Sequence, residues 1–436
     1  MRQVSVAVLL LLAFCSVESY SSSLGDSTLN RVFLENSFTL ENLDITDSDR
    51  DSFFLERILT SQFVLIGELH GIQEVGQLTD YIFGLARTVG YDYFCIETDS
   101  LAASYLEGFS RESSDSLAIQ KALEVYARFP FAIAFYYNYN NYSLLRNVVR
   151  NAEKDGIPKL WGIDNVYFLE YGFTFSHLLE SAADPRARKL LQTLAWESES
   201  GIKEAFEAGN LQALGFYKFD EADYKKLLDL YSANTKDRRL LKLLWTSKEF
   251  NETMFTGKRY LMNYLRANIM KDNFTSYYNH ALTSGFLPKA VLKMGYDHLG
   301  KGQNGSGVYD IGNFVSELAR YNKLNSFHIA AIGLNGYSSH TGPFSPPTVS
   351  EFNRFEDLPE EMQAFIASNP MDSKYLVINL EPFRHLKASF SLDFEELFYR
   401  YDVIILANNC RAIDEFELDP NIEANIPNRK ARATIR

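Results

Sequence analysis

The sequence predicts an α/β fold in which a mostly parallel central sheet is flanked by helices. Near-continuous apolar runs of strand length recur along the chain, as expected for strands buried on both faces of a parallel sheet. Segments with helical periodicity, such as VGQLTDYIFGLARTVG and SLLRNVVRNAEKDG, lie between them, and this alternation is typical of α/β proteins. One long stretch without strand signals predicts a large helical insertion.

The core strands are predicted from these apolar runs, in the order 63–68 (FVLIGE), 91–97 (YDYFCIE), 158–164 (PKLWGID), 289–296 (KAVLKMGY), 326–334 (SFHIAAIGL), 374–380 (KYLVINL) and 401–408 (YDVIILAN). Between the third and fourth of them, segments such as RARKLLQTLAWESES and EADYKKLLDLYSAN carry helical periodicity. We therefore interpret residues 168–287 as a helical cap, and residues 51–167 with 288–436 as the α/β core.

The N-terminus has the pattern of an export signal. The short basic start MRQ precedes the apolar run VSVAVLLLLAFC, which is too short to span a bilayer. Residues 1–19 are predicted to be a signal peptide, and the polar residues 20–50 a loosely structured lead-in. We expect an exported protein, periplasmic or secreted. A lipid anchor at Cys15 is disfavoured, because Phe14 occupies a position that usually holds a small residue.

Composition and charge restrict the partners. The chain has 436 residues, of which 46% are hydrophobic and 23% charged, and this balance is typical of globular proteins. A net charge of -13 argues against a nucleic-acid partner, because phosphate binding requires a basic surface. No stretch after the signal predicts a transmembrane helix. A small-molecule partner is expected.

Cys95 lies in a predicted strand, which favours a buried free thiol over a disulfide with Cys410.

Ionisable residues cluster where the predicted strands end. Ligands of open α/β sheets bind beyond the carboxyl ends of the strands, so side chains at these ends are expected to share one site. Those that follow the first four strands are Glu68, His70, Glu74, Glu97, Asp164, Asp297 and His298. His340 follows the fifth strand and Glu381 the sixth. Carboxylates buried together need cations, shared protons or a metal.

The residue types at these strand ends fit two kinds of chemistry. His70 has the properties of a general base, and Glu68, two residues away, is placed to orient it. His298 would then act as an acid or as a contact for an oxyanion. Alternatively, Glu68, His70, Glu97 and His298 would hold a divalent cation with an open position for water. Lys293 lies within a predicted strand and needs a partner if buried, for which Asp297 is a candidate.

Four motifs resemble the erythromycin-esterase-like family. LIGELHGIQE is similar to the family's first motif, FCIETD to its second and VLKMGYDHLGKG to its later His motif. LRANIMKDNF is similar to a helical motif, in which Arg266, Met270 and Asn273 fall on one face. The wider superfamily includes haem-binding ChaN-like lipoproteins and metal-dependent Tiki/TraB proteases. The resemblance spans residues 60–300 in four patches.

The resemblance implies an exported hydrolase of esters or lactones. It implies His70 as the base, Glu68 and Glu97 as orienting or metal-binding residues, and His298 as a substrate contact. Arg266 would reach the same pocket. From their positions at the strand ends, and not from the resemblance, Glu74, Asp164, Asp297, His340 and Glu381 are candidates for substrate binding. The superfamily also implies two alternatives, a haem- or ligand-binding protein and a metal-dependent peptidase, so the cofactor stays open between none, a divalent metal and haem.

The chain departs from the macrolide esterases at three positions. One residue, Leu69, separates Glu68 from His70 where those enzymes usually have two. Gly295 stands where a second His is usual, and Ala267 where an Asp is usual. For this reason the resemblance does not imply that the substrate is a macrolide.

Overall fold

A computed structural model describes residues 26–46, 48–134, 136, 138–150, 152, 155–233, 235–342 and 345–414. The predicted signal peptide and Cys15 lie outside the described residues. The strands are β1 (Ser37–Leu40), β2 (Ser61–Glu68), β3 (Tyr93–Ile96), β4 (Leu160–Gly162), β5 (Ala290–Gly295), β6 (Asn325–Gly333), β7 (Asn335–Gly342), β8 (Ser345–Asn353), β9 (Tyr375–Asn379) and β10 (Val403–Ala407).

Sixteen helices surround these strands in the described part of the chain. The first six are α1 (Asp26–Glu35), α2 (Asp49–Thr60), α3 (Gln73–Arg87), α4 (Ser100–Ser110), α5 (Asp115–Arg128) and α6 (Tyr139–Val149). The next six are α7 (Tyr171–Ser181), α8 (Pro185–Ala208), α9 (Gly215–Lys218), α10 (Glu221–Leu230), α11 (Lys236–Met254) and α12 (Arg259–Ala281). The last four are α13 (Tyr296–Leu299), α14 (Ile311–Tyr321), α15 (Glu360–Ser368) and α16 (Leu392–Arg400).

Eight strands form the central sheet in the order β1-β9-β10-β6-β2-β5-β3-β4. From β10 through β4 neighbouring strands are parallel, whereas β9 is antiparallel to both of its neighbours. The chain builds outwards from β2 to β3 and β4, returns to β5, and then crosses to β6 on the other side of β2. The carboxyl end of β2 therefore lies where the strand order reverses, the usual place for a ligand in such sheets. The predicted fold class is confirmed.

The central strand β2 is buried on both faces, which explains its continuous apolar sequence. Phe63 and Leu65 pack with residues of α12 and α14 on one face. Val64 and Ile66 pack with residues of α2 and α3 on the other. Fully burying a side chain of this size contributes about 1.5–3 kcal/mol, so the strand that carries the site is held firmly from both sides.

The stretch between β4 and β5 is helical, as the periodicity predicts. Helices α7 to α12 occupy it, and its described residues contain no strand. Local signals explain the boundaries: Asp184 caps α8 with Pro185 in its first turn, and Gly209 ends this helix in a left-handed conformation. Apolar side chains of the insertion join the same core cluster as β2 and β3, so the insertion packs directly on the sheet.

The polar lead-in is more ordered than its composition predicts. Residues 26–35 form α1, and residues 37–40 form β1, which pairs with β9 at the edge of the sheet. Phe33 and Leu40 are buried. The expectation of a loose segment over residues 20–50 is therefore wrong for this part, because a few apolar side chains anchor an otherwise polar stretch.

Two further features complete the fold. Strands β7 and β8 form a separate antiparallel hairpin after β6, which the sequence did not predict. Both Cys95 and Cys410 are buried free thiols, as expected for Cys95. No helix in the described part of the chain has the length and apolar character needed to cross a membrane.

Candidate active site

A cleft of about 650 Å³ lies at the carboxyl ends of β2 and β5, under the insertion. Its volume is in the range that holds small ligands. Six of the predicted site residues line it, namely Glu68, His70, Glu97, Asp164, Arg266 and His340. A larger groove of about 1150 Å³ between α4, α11 and α12 contains none of the predicted site residues. We therefore treat the cleft at the strand ends as the candidate active site.

Glu68 and His70 form a hydrogen-bonded pair at the tip of β2. His70 Nδ1 lies 3.0 Å from Glu68 Oε1, and because a carboxylate can only accept, Nδ1 carries the proton. The lone pair is then on Nε2, at the end of the ring directed away from Glu68. Gly71 has a φ of 91°, and an added Cβ would lie 2.0 Å from the carbonyl oxygen of Ser339. Glycine is therefore required for the turn that follows His70.

Lys293 is the second partner of Glu68. Its Nζ lies 2.5 Å from Glu68 Oε1, the same oxygen that accepts from His70. Burial raises the pKa of Glu68, but the ammonium of Lys293 and the hydrogen bond from His70 outweigh it and lower the pKa to about 2. Glu68 is therefore an anion throughout the physiological range. The sequence suggested Asp297 as the partner of Lys293, which is wrong.

The environment of His70 makes its imidazole more basic. The walls of the cleft lower its pKa by desolvation, whereas the hydrogen bond to Glu68 and the carboxylate of Glu97 raise it, and the balance is a raised pKa. Glu97 Oε2 lies 3.7 Å from Nε2. The side chain nevertheless stays 62% exposed to the cleft. A general base needs a ring whose orientation is fixed through one nitrogen while the other nitrogen is accessible to substrate, and His70 has this arrangement.

Arg266 links the insertion to the sheet through a network of carboxylates. From α12 it donates to Glu97 Oε1 at 2.7 Å and to both oxygens of Asp164 at 3.0 and 2.5 Å. Burial raises the pKa of Glu97, but the guanidinium of Arg266 outweighs it and holds the pKa far below its usual value. Asn273, also on α12, donates to the backbone oxygens of Ile163 and Asp164. The cap is thus fixed to the ends of β3 and β4.

His298 supports this network from below the cleft surface. Its Nδ1 donates to Asp310 Oδ2 at 2.8 Å, and Arg266 Nη1 lies 3.0 Å from its Nε2. Because a guanidinium can only donate, this contact requires a neutral ring with its lone pair on Nε2. His298 is buried, with 8% of its surface exposed, and both nitrogens are engaged. In this arrangement it positions Arg266, in contrast to the substrate contact that the resemblance implies.

Gly295 occupies the centre of the site. A Cβ at this position would lie 3.2 Å from His70 Nε2, 3.5 Å from Glu97 Oε2 and 3.6 Å from His298 Cδ2. The backbone of Gly295 donates to Glu97 Oε2 at 2.7 Å. The missing side chain therefore leaves open the space directly in front of the base.

We expect Gly295→Ala to lower turnover while the protein stays folded. Its φ of -52° and ψ of 142° are allowed for alanine, so the effect arises from the methyl group beside Nε2. Displacement of a reacting group by a fraction of an ångström to 1 Å reduces the rate by about 10- to 100-fold. Measurement of kcat/KM and of Tm tests this, with Gly305→Ala as the control, because a Cβ there meets no atom within 4 Å. Equal losses in both variants would contradict it.

Three predicted substrate-binding residues lie elsewhere. Glu74 is fully buried and pairs with Lys374 at 2.9 Å and Arg411 at 3.2 Å, so it fastens the C-terminal segment to α3. The side chain of Asp297 is 65% exposed, and its nearest basic partner is Arg400 at 4.0 Å. Glu381 pairs with Arg57 at the opposite edge of the sheet, because β9 runs antiparallel. None of these three residues lines the cleft.

The residues proposed to hold a metal do not form a metal-binding set. Among the residues that the structure describes, no group of three or more His, Cys, Asp or Glu side chains is arranged to bind an ion. The reason is visible in the contacts. Glu68 already accepts from Lys293, and Glu97 and His298 both face Arg266. Lys293 and Arg266 therefore occupy the positions beside these side chains that a metal ion would have to take.

Several residues that line or support the cleft do not follow a predicted strand, so the strand-end rule did not identify them. Tyr136, Asn138, Asn140 and Asn141 come from the aromatic stretch 128–142, of which other members are in the core. Asp310, which orients His298, is also the N-cap of α14. A capping aspartate before an apolar helix was detectable in GVYDIGNF, but its second role depends on the fold.

Several solved structures are similar to this one in fold, although no protein-family model and no curated protein matches the chain. Erythromycin esterase EreC, solved in its open conformation, superposes with a TM-score of 0.54 and 16% identity over 88% of this chain and 99% of the other. The chain shares the fold of an erythromycin esterase. At this identity the likeness concerns the fold alone, and it supports the resemblance inferred from the motifs at that level.

Two other solved structures are similar over 90% of this chain and their whole length. One is a Bacillus cereus protein, with a TM-score of 0.59 and 13% identity. The other is a succinoglycan biosynthesis protein, with a TM-score of 0.58 and 12% identity. The same fold is therefore found in an erythromycin esterase and in a succinoglycan biosynthesis protein. The function of this chain has to be argued from its own cleft.

Proposed function

We propose that this protein is a hydrolase of carboxylic esters or lactones that uses His70 as its general base. The observation that carries the proposal is the pairing of His70 Nδ1 with the buried carboxylate of Glu68, while Nε2 is open to the cleft. This pairing fixes the tautomer and raises the basicity of the ring. The fold shared with an erythromycin esterase adds support.

The reaction follows from the positions of the charged groups. His70 Nε2 removes a proton from water, and the oxygen attacks the ester carbonyl to form a tetrahedral oxyanion. Lys293 lines the cleft beside Glu68 and, together with Arg266, supplies positive charge near the developing oxyanion. Collapse of the intermediate breaks the carbon–oxygen bond, and the proton on His70 passes to the departing alkoxide. The products are a carboxylic acid and an alcohol.

We expect kcat/KM to rise with pH through a pKa above 6.5, the ordinary value for histidine. The base works only when neutral, and the pKa of His70 is raised, so protonation at lower pH removes activity. Glu68, with a pKa of about 2, stays ionised and does not contribute to this limb. A pH–rate profile between pH 5 and 9 measures it. An acid limb well below 6.5 would assign the base to another group.

The proposal itself is tested with the chain from Tyr20 onwards on a panel of acyl esters and lactones. Turnover that releases one acid equivalent per alcohol would support it. Absence of turnover across the panel, together with a Soret band when haem is added, would favour the ligand-binding alternative instead. Chelator-sensitive cleavage of a peptide would favour the peptidase.

We also propose that the protein acts outside the cytoplasm. This part rests on the sequence of residues 1–19, with its basic start and its apolar run. A site of action in the periplasm or outside the cell is compatible with a hydrolase that needs no energy-rich cosubstrate.

A further inference from the structure

The charged groups of the cleft are satisfied by one another. Lys293 pairs with Glu68, and Arg266 pairs with Glu97 and Asp164. The fourth acidic side chain of the lining, Glu170, accepts from the backbone N–H of Ala134 at 2.7 Å, and burial together with the neighbouring Asp99 raises its pKa well above the ordinary value. Among the described residues, each of these side chains thus has a partner before a substrate binds, and none is left free to pair with a substrate that carries a charge in its ground state. A neutral ligand fits this pattern best.

The polar atoms that remain without protein partners in the cleft are uncharged. Within the described residues, the Thr98 hydroxyl, Asn165 Oδ1 and Asn140 Nδ2 make no hydrogen bond, although the other polar atoms of both asparagine side chains do. They lie on different walls, since Thr98 follows β3 and Asn165 follows β4, whereas Asn140 is in α6. They include acceptors and donors, and alcohol groups can satisfy both.

Aromatic and apolar side chains lie between these polar groups. Tyr136, Tyr167, Phe168, Phe250 and Met254 line the same cleft. The rings of Tyr167 and Phe168 are adjacent, with centroids 4.6 Å apart. Apolar surface interrupted by uncharged hydrogen-bonding groups matches a molecule that carries hydroxyl groups around a ring with C–H faces.

We propose that the substrate is a neutral saccharide carrying an ester, and that Thr98, Asn140 and Asn165 recognise its hydroxyl groups. This inference rests on the proposed hydrolase function for the chemical step: water adds to the acyl carbonyl, the bond between the acyl carbon and the sugar oxygen breaks, and the sugar oxygen takes the proton from His70 to leave as an alcohol. Recognition of the hydroxyl groups is a property of the cleft that can be measured without turnover.

Two esters that differ in their hydroxyl groups test the inference. 6-O-Acetylglucose and cyclohexylmethyl acetate present the same ester on a six-membered ring with and without hydroxyls. A site built to bind hydroxyl groups discriminates strongly against a ligand that lacks them, so we expect kcat/KM to favour the sugar ester by about 100-fold or more. Thr98→Val and Asn140→Ala should each reduce this preference by up to about tenfold, whereas Asn147→Ala on the exposed face of α6 should not.

A binding titration separates this inference from the hydrolase function. Cellobiose, maltose and lactose are titrated into the wild type and the two cleft variants by NMR. Binding that weakens in both variants supports saccharide recognition even if neither ester is hydrolysed, an outcome that would count against the hydrolase. Equal hydrolysis of both esters, or preference for cyclohexylmethyl acetate, overturns the saccharide and leaves the hydrolase. Neither hydrolysis nor binding overturns both.

Discussion

Replacement of His70 by alanine should reduce ester hydrolysis by about 10²- to 10⁴-fold, the usual contribution of a general base. The loss is expected in kcat, because the residue removes a proton in the transition state and its ring is not needed to hold the fold. With 62% of its side chain exposed, His70 contributes little packing, and Glu68 keeps Lys293 as its partner when the ring is gone. Steady-state kinetics and Tm on the same preparations measure both effects.

A matched control is available at the far edge of the sheet. His385 is exposed and lies after β9, whose carboxyl end is opposite to the cleft because the strand is antiparallel. His385→Ala should therefore keep full activity and full stability. If His70→Ala retains the wild-type rate, another group is the base. If both variants lose activity equally, the effect is general and His70 has no special role.

The strands of the core were predictable because burial on both faces leaves a run of apolar residues that any parallel strand shows. The direction of β9 was not predictable, since the sequence YLVIN is equally typical of a parallel and an antiparallel strand. Glu381 was misplaced for that reason alone. The hairpin of β7 and β8 was missed because its residues are largely polar and include Pro346 and Pro347, which weaken a strand prediction.

The residues that converge in the cleft were predictable from one geometric rule, that parallel strands deliver their carboxyl ends to the same edge. Glu68, Glu97 and Asp164 follow it directly. The partners within the cleft were not predictable, because they depend on register. Lys293 lies beside Ile66 in the pairing of β2 with β5, and from there its long side chain reaches Glu68. No local pattern in the sequence reports such a pairing.

Replacement of Arg266 by methionine should lower the free energy of unfolding by roughly 3 kcal/mol at neutral pH, because Glu97 and Asp164 would be left as buried anions without a cation. The deficit should shrink in acid. The pKa of Glu97 is lowered in the folded protein from an ordinary value near 4.5, so its contribution is present above pH 4.5 and is lost as the pH falls through the folded value. Urea denaturation at pH 7.5 and pH 3 measures the difference, and Arg259→Met, exposed on the same helix, is the control.

A second set of substitutions distinguishes loss of charge balance from loss of packing. If unpaired anions destabilise Arg266→Met, then adding Glu97→Gln and Asp164→Asn should restore much of the lost stability, since neutral amides do not need the guanidinium. If the lost packing of the arginine stem is responsible, the added changes will restore nothing. Catalysis should stay impaired in either case, because Glu97 also raises the pKa of His70, and with Glu97→Gln the acid limb of the pH–rate profile should move to lower pH. Recovery of stability without recovery of rate is therefore the pattern expected of a network that both fastens the cap to the sheet and tunes the base.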